Sequence, residues 1–324
     1  MLLRQRYSAL LGGHTMIKIA SLSVVAALLA LGLAAAPAQA GPNRAWVSGH
    51  GTDSGGCGPV AAPCRTFAFA LTQTAAGGEI DVLEPAGYGP VTITKAISIV
   101  NDGADAATIG MASAGNGVTI IASAGDSVHL RGLTIDGFGI GSNGIQFNRG
   151  GNLAIENCVI RNFEHSGIII QPSTSSSFSV SNTIASNNFV DGIEVFSTGS
   201  ASVTGVLSKV TANTNGFFGI NVEGFGTTGA LNVTIVNGVA SNNTSVGINA
   251  VSANTAVTVR NSVASYSGTG LFAAKAILRV GHSVVTGNGT GVKLAGGNIF
   301  SYGDNDIDGN TNNNTGALTP LAMH

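Results

Sequence analysis

The segment Gly192-Ile193-Glu194-Val195-Phe196 contains the pattern that decides the fold of this chain. A glycine and an aliphatic residue begin a short strand in which apolar and variable residues alternate, so Ile193 and Val195 share one face. The pattern returns between residues 130 and 295 at Gly144, Gly167, Gly192, Gly219, Gly247, Gly270 and Gly291. Successive glycines are 23, 25, 27, 28, 23 and 21 positions apart, a period typical of stacked repeats.

The composition of the repeat distinguishes two kinds of solenoid. A leucine-rich repeat carries a fixed run of leucines in every unit. These units are instead rich in Val, Ile, Thr, Ser, Asn and Gly, which favour strands and turns over helices. We therefore predict an all-β parallel β-helix whose coils span residues 79–297, followed by an irregular last coil and tail over residues 298–324.

Three asparagines occupy the same place in their turns: Asn162, Asn187 and Asn242. Asparagine tolerates left-handed backbone and hydrogen-bonds neighbouring main chain. Stacked from coil to coil, these residues are expected to form a structural side-chain ladder that satisfies the amides of the turns.

Residues 1–40 have the features of a cleaved signal peptide. An apolar run over residues 19–36 follows Lys18 and ends at the cleavage pattern Ala38-Gln39-Ala40. A membrane anchor is the alternative, because the run approaches the ~18 residues that can span a bilayer. The cleavage pattern favours removal, so we expect a secreted protein, periplasmic or extracellular, with no stable membrane span.

The charge of the mature chain argues against nucleic acid as a partner. Residues 1–40 contain three basic residues and no acidic one, so their removal leaves 11 basic against 16 acidic side chains, a net charge of −5. Nucleic-acid binding requires basic patches. Low charge with a high Val, Ile and Leu content fits a regular solenoid better than disorder.

Residues 41–78 are expected to form an N-terminal cap. Cys57 and Cys64, with six residues between them, predict a disulfide in an oxidising compartment, whereas no nearby Cys or His completes a metal site. Thr66 is placed to cap a short amphipathic helix that Gly77-Gly78 ends. Such a helix would shield the apolar interior of the first coil.

The cap also carries a family resemblance. It lies in Trp46-Val47-Ser48-Gly49-x-Gly51-x-Asp53, in Pro63-Cys64-Arg65-Thr66-Phe67 and in Gly78-Glu79-Ile80. These segments resemble the N-terminal cap of secreted β-helix proteins of the pectate-lyase-like superfamily, most closely its bacterial repeat proteins. The resemblance implies a single-stranded right-handed parallel β-helix over nearly all of the mature chain, but not a reaction, because one fold hosts many sites.

Outward residues of equivalent strands should form a continuous face, because neighbouring coils lie ~4.8 Å apart. On that face we expect amide groups and an aromatic ring to bind a polysaccharide, since sugar hydroxyls need donors and acceptors and a sugar ring stacks on an aromatic ring. The expected ligand-binding residues are Gln146, Asn148, Gln171, Phe196, Asn221 and Asn249.

Two residue pairs are candidates for acid/base chemistry. Glu194 and Glu223 fall on adjacent coils with an expected Cα separation of ~8 Å, and glycoside hydrolysis uses carboxyl groups ~5–9.5 Å apart. The alternative is two solvated surface acids. His165 and Asp191 precede their glycines on adjacent coils and would pair as a base and its partner, or else form a surface contact.

The resemblance also implies what a lyase would need. Calcium-dependent pectate lyases carry clustered acids on this face and a basic residue beside the uronate. The sequence predicts no cluster of three acids here, and Lys293 is distant from both glutamates. Elsewhere, Asp304, Asp306 and Asp308 match the start of a calcium loop, but Thr315 stands where such a loop needs Glu. We therefore expect no cofactor, with calcium at these three aspartates as a weakly supported alternative.

Two functions remain open. The first is a secreted, non-catalytic β-helix that binds extracellular or envelope polysaccharide or serves as a structural surface protein. The second is a polysaccharide-cleaving hydrolase or lyase that uses the outward face. The scarcity of charged residues favours the first. Cys158 takes the place of Leu133 in the preceding unit and is expected to be an inward, inert thiol.

Overall fold

A computed structural model describes residues 42–322. Each coil contributes one strand to each of three parallel sheets, which we number 1 to 3 in chain order. The sheets meet at a first corner (sheets 1 and 2), a second corner (sheets 2 and 3) and a third corner, which leads to the next coil. The predicted signal peptide, residues 1–40, lies outside the described residues.

Sheet 1 has twelve strands. They are Arg44–Val47, Gly78–Val82, Ile97–Val100, Ser127–Arg131, Asn152–Glu156, Ser176–Ser181, Val203–Ser208, Leu231–Val236, Thr255–Arg260, Ile277–Gly281, Asn298–Ser301 and Thr319–Pro320. Sheet 2 has ten, namely Ala86–Gly87, Ala107–Gly110, Leu133–Asp136, Val159–Arg161, Ile184–Ser186, Thr211–Asn213, Val239–Ser241, Val263–Ser265, Val284–Thr286 and Asp306–Ile307. Sheet 3 also has ten, namely Val91–Ile93, Val118–Ile121, Ile145–Arg149, Ile168–Ile170, Ile193–Phe196, Phe218–Glu223, Val246–Val251, Thr269–Ala274, Thr290–Ala295 and Asn312–Thr315.

The interior follows the predicted alternation. The aliphatic residue after each repeat glycine stacks in register on its equivalent in the next coil and is almost fully buried: Ile145, Ile168, Ile193, Ile220, Ile248, Leu271 and Val292. Cys158 continues the inner column of the first corner, where burial raises the pKa of its thiol to about 11. A buried thiol that stays protonated is unreactive, as expected.

The N-terminal segment contains a short helix and a disulfide, as the sequence predicts, although the helix ends at Gln73 and not at Gly77-Gly78. A helix over Phe67–Gln73 begins at Thr66, whose side chain accepts a hydrogen bond from the Phe69 amide, and the helix packs on the first strands of sheets 1 and 3. Cys57 and Cys64 form a disulfide, which is consistent with an extracellular protein. Asp53 accepts hydrogen bonds from the Arg65 and Thr66 amides and holds the start of the helix.

Within residues 42–322, no helix is both long enough and apolar enough to cross a membrane.

Candidate functional site on sheet 3 and the second corner

The second corner turns on one residue with left-handed backbone. Asn162, Asn187 and Asn242 fill that position with φ values of 61°, 55° and 55°. Two of the asparagines expected to form a ladder do bind each other, since Asn187 donates to the side-chain oxygen of Asn162 at 2.5 Å. The residue after this position points inward and forms a longer ladder. The side-chain NH2 of Asn188 donates to the side-chain oxygen of Asn215 at 3.0 Å. The side-chain NH2 of Asn215 donates to the side-chain oxygen of Asn243, also at 3.0 Å.

The ladder makes the second corner rigid because its side chains also accept main-chain hydrogen bonds. The amide of Asn188 donates to the Asn215 side chain at 3.2 Å, and the amide of Asn215 donates to the Asn243 side chain at 3.1 Å. All three asparagines are buried. Residues that follow them in the corner are therefore presented from a fixed base.

Asp191 ends the corner in its coil and is the most deeply buried acid of the site, with 2% of its surface exposed. Its carboxylate accepts hydrogen bonds from the Phe218 amide at 3.0 Å and from the Asn221 side chain at 3.3 Å. Burial, together with the negative charge of Glu194, raises the pKa of Asp191 to about 7. The expected partner His165 is exposed, and it does not hydrogen-bond to either oxygen.

Glu194 lies three residues beyond Asp191 on the outer face of sheet 3. It is half-buried and accepts a hydrogen bond at 3.0 Å from the Ser166 hydroxyl of the preceding coil. Burial raises its pKa and the charge of Glu223 adds to the increase, whereas His165 opposes it. A carboxyl group in this setting holds its proton more readily than a solvated one.

The strand register places Glu223 as the repeat predicts. Glu194 is opposite Asn221 on the next strand, and Glu223 follows two residues further, opposite Phe196. The charges of Glu194 and Glu223 raise the pKa of Asp191, and the charge of Glu223 raises the pKa of Glu194, so the three acids lie near one another on this face. In the part of the chain that the structure describes, however, no group of three His, Cys, Asp or Glu side chains is arranged to hold a metal ion.

Most of the predicted ligand-binding amides bind one another. Asn249 donates to Asn221 at 2.7 Å, and both are 3% exposed. Gln171 donates to Asn148 at 2.8 Å, while Gln146 accepts from Asn116. Asn221 and Asn249 are therefore closed to a ligand. The half-buried groups of this face are Phe196, the two glutamates, Gln146, Asn148 and Gln171.

Sequence reasoning missed a cleft on the second corner, with a volume of about 950 Å³. The side chains of Phe138 and Phe189 form its exposed walls, and Glu164 and His165 lie between them. The sequence did carry a signal for it. Phe138 and Phe189 lie in turns of the second corner, where the fold does not need an apolar side chain. His165 links the cleft to the carboxylates because its charge acts on Glu194.

The C-terminal aspartates are used within the fold. Asp304 accepts a hydrogen bond from the His282 amide at 2.9 Å and pairs with the His282 ring. Asp306 begins the last strand of sheet 2, and Asp308 follows it into the corner. Calcium binding by Asp304, Asp306 and Asp308 remains a prediction that rests on their spacing.

A family match and one solved structure support the β-helix fold. Residues 96–208 match the family described as "Right handed beta helix region". A solved structure of a rhamnogalacturonan lyase is similar with a TM-score of 0.58 and 16% identity, over 75% of this chain and 76% of that one. Pectate lyase Pel9A (TM-score 0.48, 14% identity, 87% and 78% covered) and the AlgE4 A-module, a mannuronan C-5 epimerase of Azotobacter vinelandii (0.47, 15%, 76% and 91%), are further matches. No curated protein matches the sequence.

Proposed function

Because the chain is a right-handed parallel β-helix with the fold of the pectate-lyase-like superfamily, we propose that it binds an uncharged linear polysaccharide on the outer face of sheet 3. Glu194 and Glu223, half-buried beside Phe196 on this face, are the observation that carries this proposal. Carboxylates accept hydrogen bonds from sugar hydroxyls, and an aromatic ring packs on a sugar ring. The elongated face suits a polymer that follows the stacked coils.

The charge of the face favours an uncharged polymer. Between residues 168 and 251, Lys209 is the one basic residue, and it lies on the first corner, away from sheet 3. A uronate polymer would meet the carboxylates of Glu194 and Glu223 without a Lys or Arg side chain beside them to balance its charge. The named relatives act on other polymers, so the proposal concerns this chain's own residues.

Hydrolysis of the bound polymer is a second candidate function, favoured by the raised pKa of Glu194. Its carboxyl group would donate a proton to the glycosidic oxygen as the bond from that oxygen to C1 breaks. A water molecule would bond to C1 and transfer its proton to Glu223. The register sets the two Cα atoms ~8 Å apart, within the range that glycoside hydrolases use. Ser166 would position the acid through its hydrogen bond.

Affinity electrophoresis and product analysis test both functions with the purified protein. The panel contains galactomannan and xyloglucan as neutral polymers and polygalacturonate and alginate as acidic ones, and the reactions are followed for reducing ends and for unsaturated products. The variants are Glu194→Gln and Glu223→Gln, with Glu156→Gln on sheet 1 as the matched control.

We expect a neutral polymer to retard the protein. Reducing ends that Glu194→Gln abolishes and Glu156→Gln preserves would establish hydrolysis, whereas retardation without new ends would leave binding alone. Unsaturated products from an acidic polymer would contradict the proposal, because they indicate a lyase acting on uronate. Failure of every polymer to retard the wild-type protein would overturn it entirely.

A further inference from the structure

The cleft of the second corner has two aromatic walls that the fold does not require. Phe138 is 62% exposed and Phe189 is 78% exposed. They belong to coils two apart, so their backbones are roughly 10 Å apart by strand spacing. Phe163, in the coil between them, is buried, which leaves an open space between the two rings. Exposed aromatic side chains facing one cleft indicate a binding surface.

The backbone at Phe138 supports a functional role. Its φ is 52°, a left-handed conformation that is costly for a bulky side chain and that clusters at functional sites. The buried carboxylate of Asp136 fixes this conformation by accepting a hydrogen bond from the Phe138 amide at 3.0 Å. A Cβ on Gly110 would lie 2.8 Å from the ring, so the glycine of the preceding coil leaves room for the ring to lie over it.

The same arrangement recurs further along the corner. Tyr266 has a φ of 52° and is 65% exposed, and its ring lies over Gly287 of the next coil. The Phe138 ring lies over the preceding coil and the Tyr266 ring lies over the next one, and both are exposed rings in left-handed turns that pack on a neighbouring glycine.

The floor of the cleft is polar and rigid. Asn188 and Asn215 belong to the buried ladder, while Asn187 and Asn242 present exposed amide groups. Glu164 and His165 are the titratable residues of the lining, and the lining includes no Lys or Arg. Aromatic faces and amides beside the carboxylate of Glu164 suit an uncharged sugar rather than an anion.

We infer that the second-corner cleft binds one or more sugar rings of an uncharged glycan between Phe138 and Phe189. The inference rests on the proposed function for the class of ligand, but it does not require catalysis. Because His165 lies both in the cleft and near Glu194, a polymer held there would extend towards the carboxylates of sheet 3.

Affinity electrophoresis of the whole protein in gels containing galactomannan or xyloglucan tests the inference. The cleft variants are Phe138→Ala and Phe189→Ala, and Gly110→Ala should displace the Phe138 ring without removing it. Ile184→Ala is the matched control, because Ile184 is an exposed apolar residue on the same coil as Phe189. Phe196→Ala reports on the face of sheet 3. Circular dichroism melting curves verify that each variant is folded.

We expect each cleft variant to weaken retardation about fivefold, the effect of losing one aromatic contact, while Ile184→Ala binds as the wild type does. Wild-type retardation of both Phe variants, with loss in Phe196→Ala, would overturn the cleft and leave the proposed function intact. Equal weakening by Ile184→Ala would also overturn it, since the effect would not be specific to the rings. If no glycan retards the wild-type protein, both proposals fail together.

Discussion

The first and second corners both turn the chain from one sheet to the next, but they use different numbers of residues. At the first corner two residues, Asn157 and Cys158, separate one strand from the next. At the second corner of the same coil six residues, 162–167, separate the strands. Both corners begin with a residue in left-handed backbone, and both then bury a side chain that contacts the next coil.

The two corners differ in how many residues they contain beyond those that the turn itself needs. The first corner returns at once to a strand, and its inner column is held by single bonds such as that from the Cys158 amide to the Thr183 hydroxyl at 3.3 Å. The second corner has residues left over, and these include Phe138, His165, Phe189 and Asp191. A stacked fold therefore gains room for a site where one corner is longer than the turn demands.

The largest effect is expected from breaking the ladder of the second corner. Asn215→Leu removes the acceptor for both donors of Asn188 and the donor to the Ala185 carbonyl. At 1–3 kcal/mol for each buried group left without a partner, we expect the free energy of unfolding to fall by about 5 kcal/mol. Urea unfolding followed by circular dichroism measures the change.

Thr183→Val is the matched change at the first corner, because it has nearly the same shape and removes one acceptor and one donor. It should cost about 2 kcal/mol. Equal losses for the two variants would show that the corners are held alike and would remove the basis of the comparison.

Much of this fold follows from the sequence because burial repeats with the glycines. Ile193 and its equivalents alternate with variable residues, and stacking then follows from the period. The longer ladder lies one residue beyond the predicted one, at a place where Asn187-Asn188 and Asn242-Asn243 offer two adjacent asparagines. Pattern alone does not decide which of the two adopts left-handed backbone and which points inward.

The candidate site was less predictable because its properties depend on neighbouring coils. Asp191 is buried by contacts with Phe218 and Asn221, which lie about 30 positions away in sequence. Asn221 and Asn249 are on the outward face but bind each other instead of facing solvent. Such lateral contacts depend on the register and on side-chain rotamers, neither of which one repeat unit specifies.

The second largest effect is expected on the pH dependence of stability, and it comes from Asp191, the buried acid of the second corner. Burial raises the pKa of Asp191 from 3.8 to about 7, so the folded protein binds this proton more tightly than the unfolded chain does. The associated stability is fully present below about pH 4 and is lost as pH rises through about 7. The loss should reach up to about 4 kcal/mol, given 1.36 kcal/mol for each pKa unit.

Asp191→Asn should remove most of that pH dependence, because its side chain still accepts the Phe218 amide and no longer ionises. Urea unfolding at several pH values from about 4 to about 8 measures the slope. Glu194→Gln should remove a part with the same sign, since burial also raises the pKa of Glu194. A slope in Asp191→Asn equal to that of the wild type would show that this carboxyl is not its source.

The smallest effect is expected from a substitution at Phe138. It tests whether the exposed ring of this residue lowers the free energy of unfolding. Phe138→Asn places a residue that tolerates left-handed backbone at a φ of 52°, so we expect the free energy of unfolding to rise by about 1 kcal/mol. Asn182→Ala at the first corner, where φ is 46°, is the reverse change and should lower it by a similar amount. Thermal melting of both variants beside the wild type measures the two changes in stability.

Greater stability of Phe138→Asn together with weaker retention by a neutral glycan would mean that Phe138 is kept for binding and not for folding. If Phe138→Asn instead lowers the melting temperature, the packing of the ring over Gly110 outweighs the backbone strain, and the ring belongs to the fold.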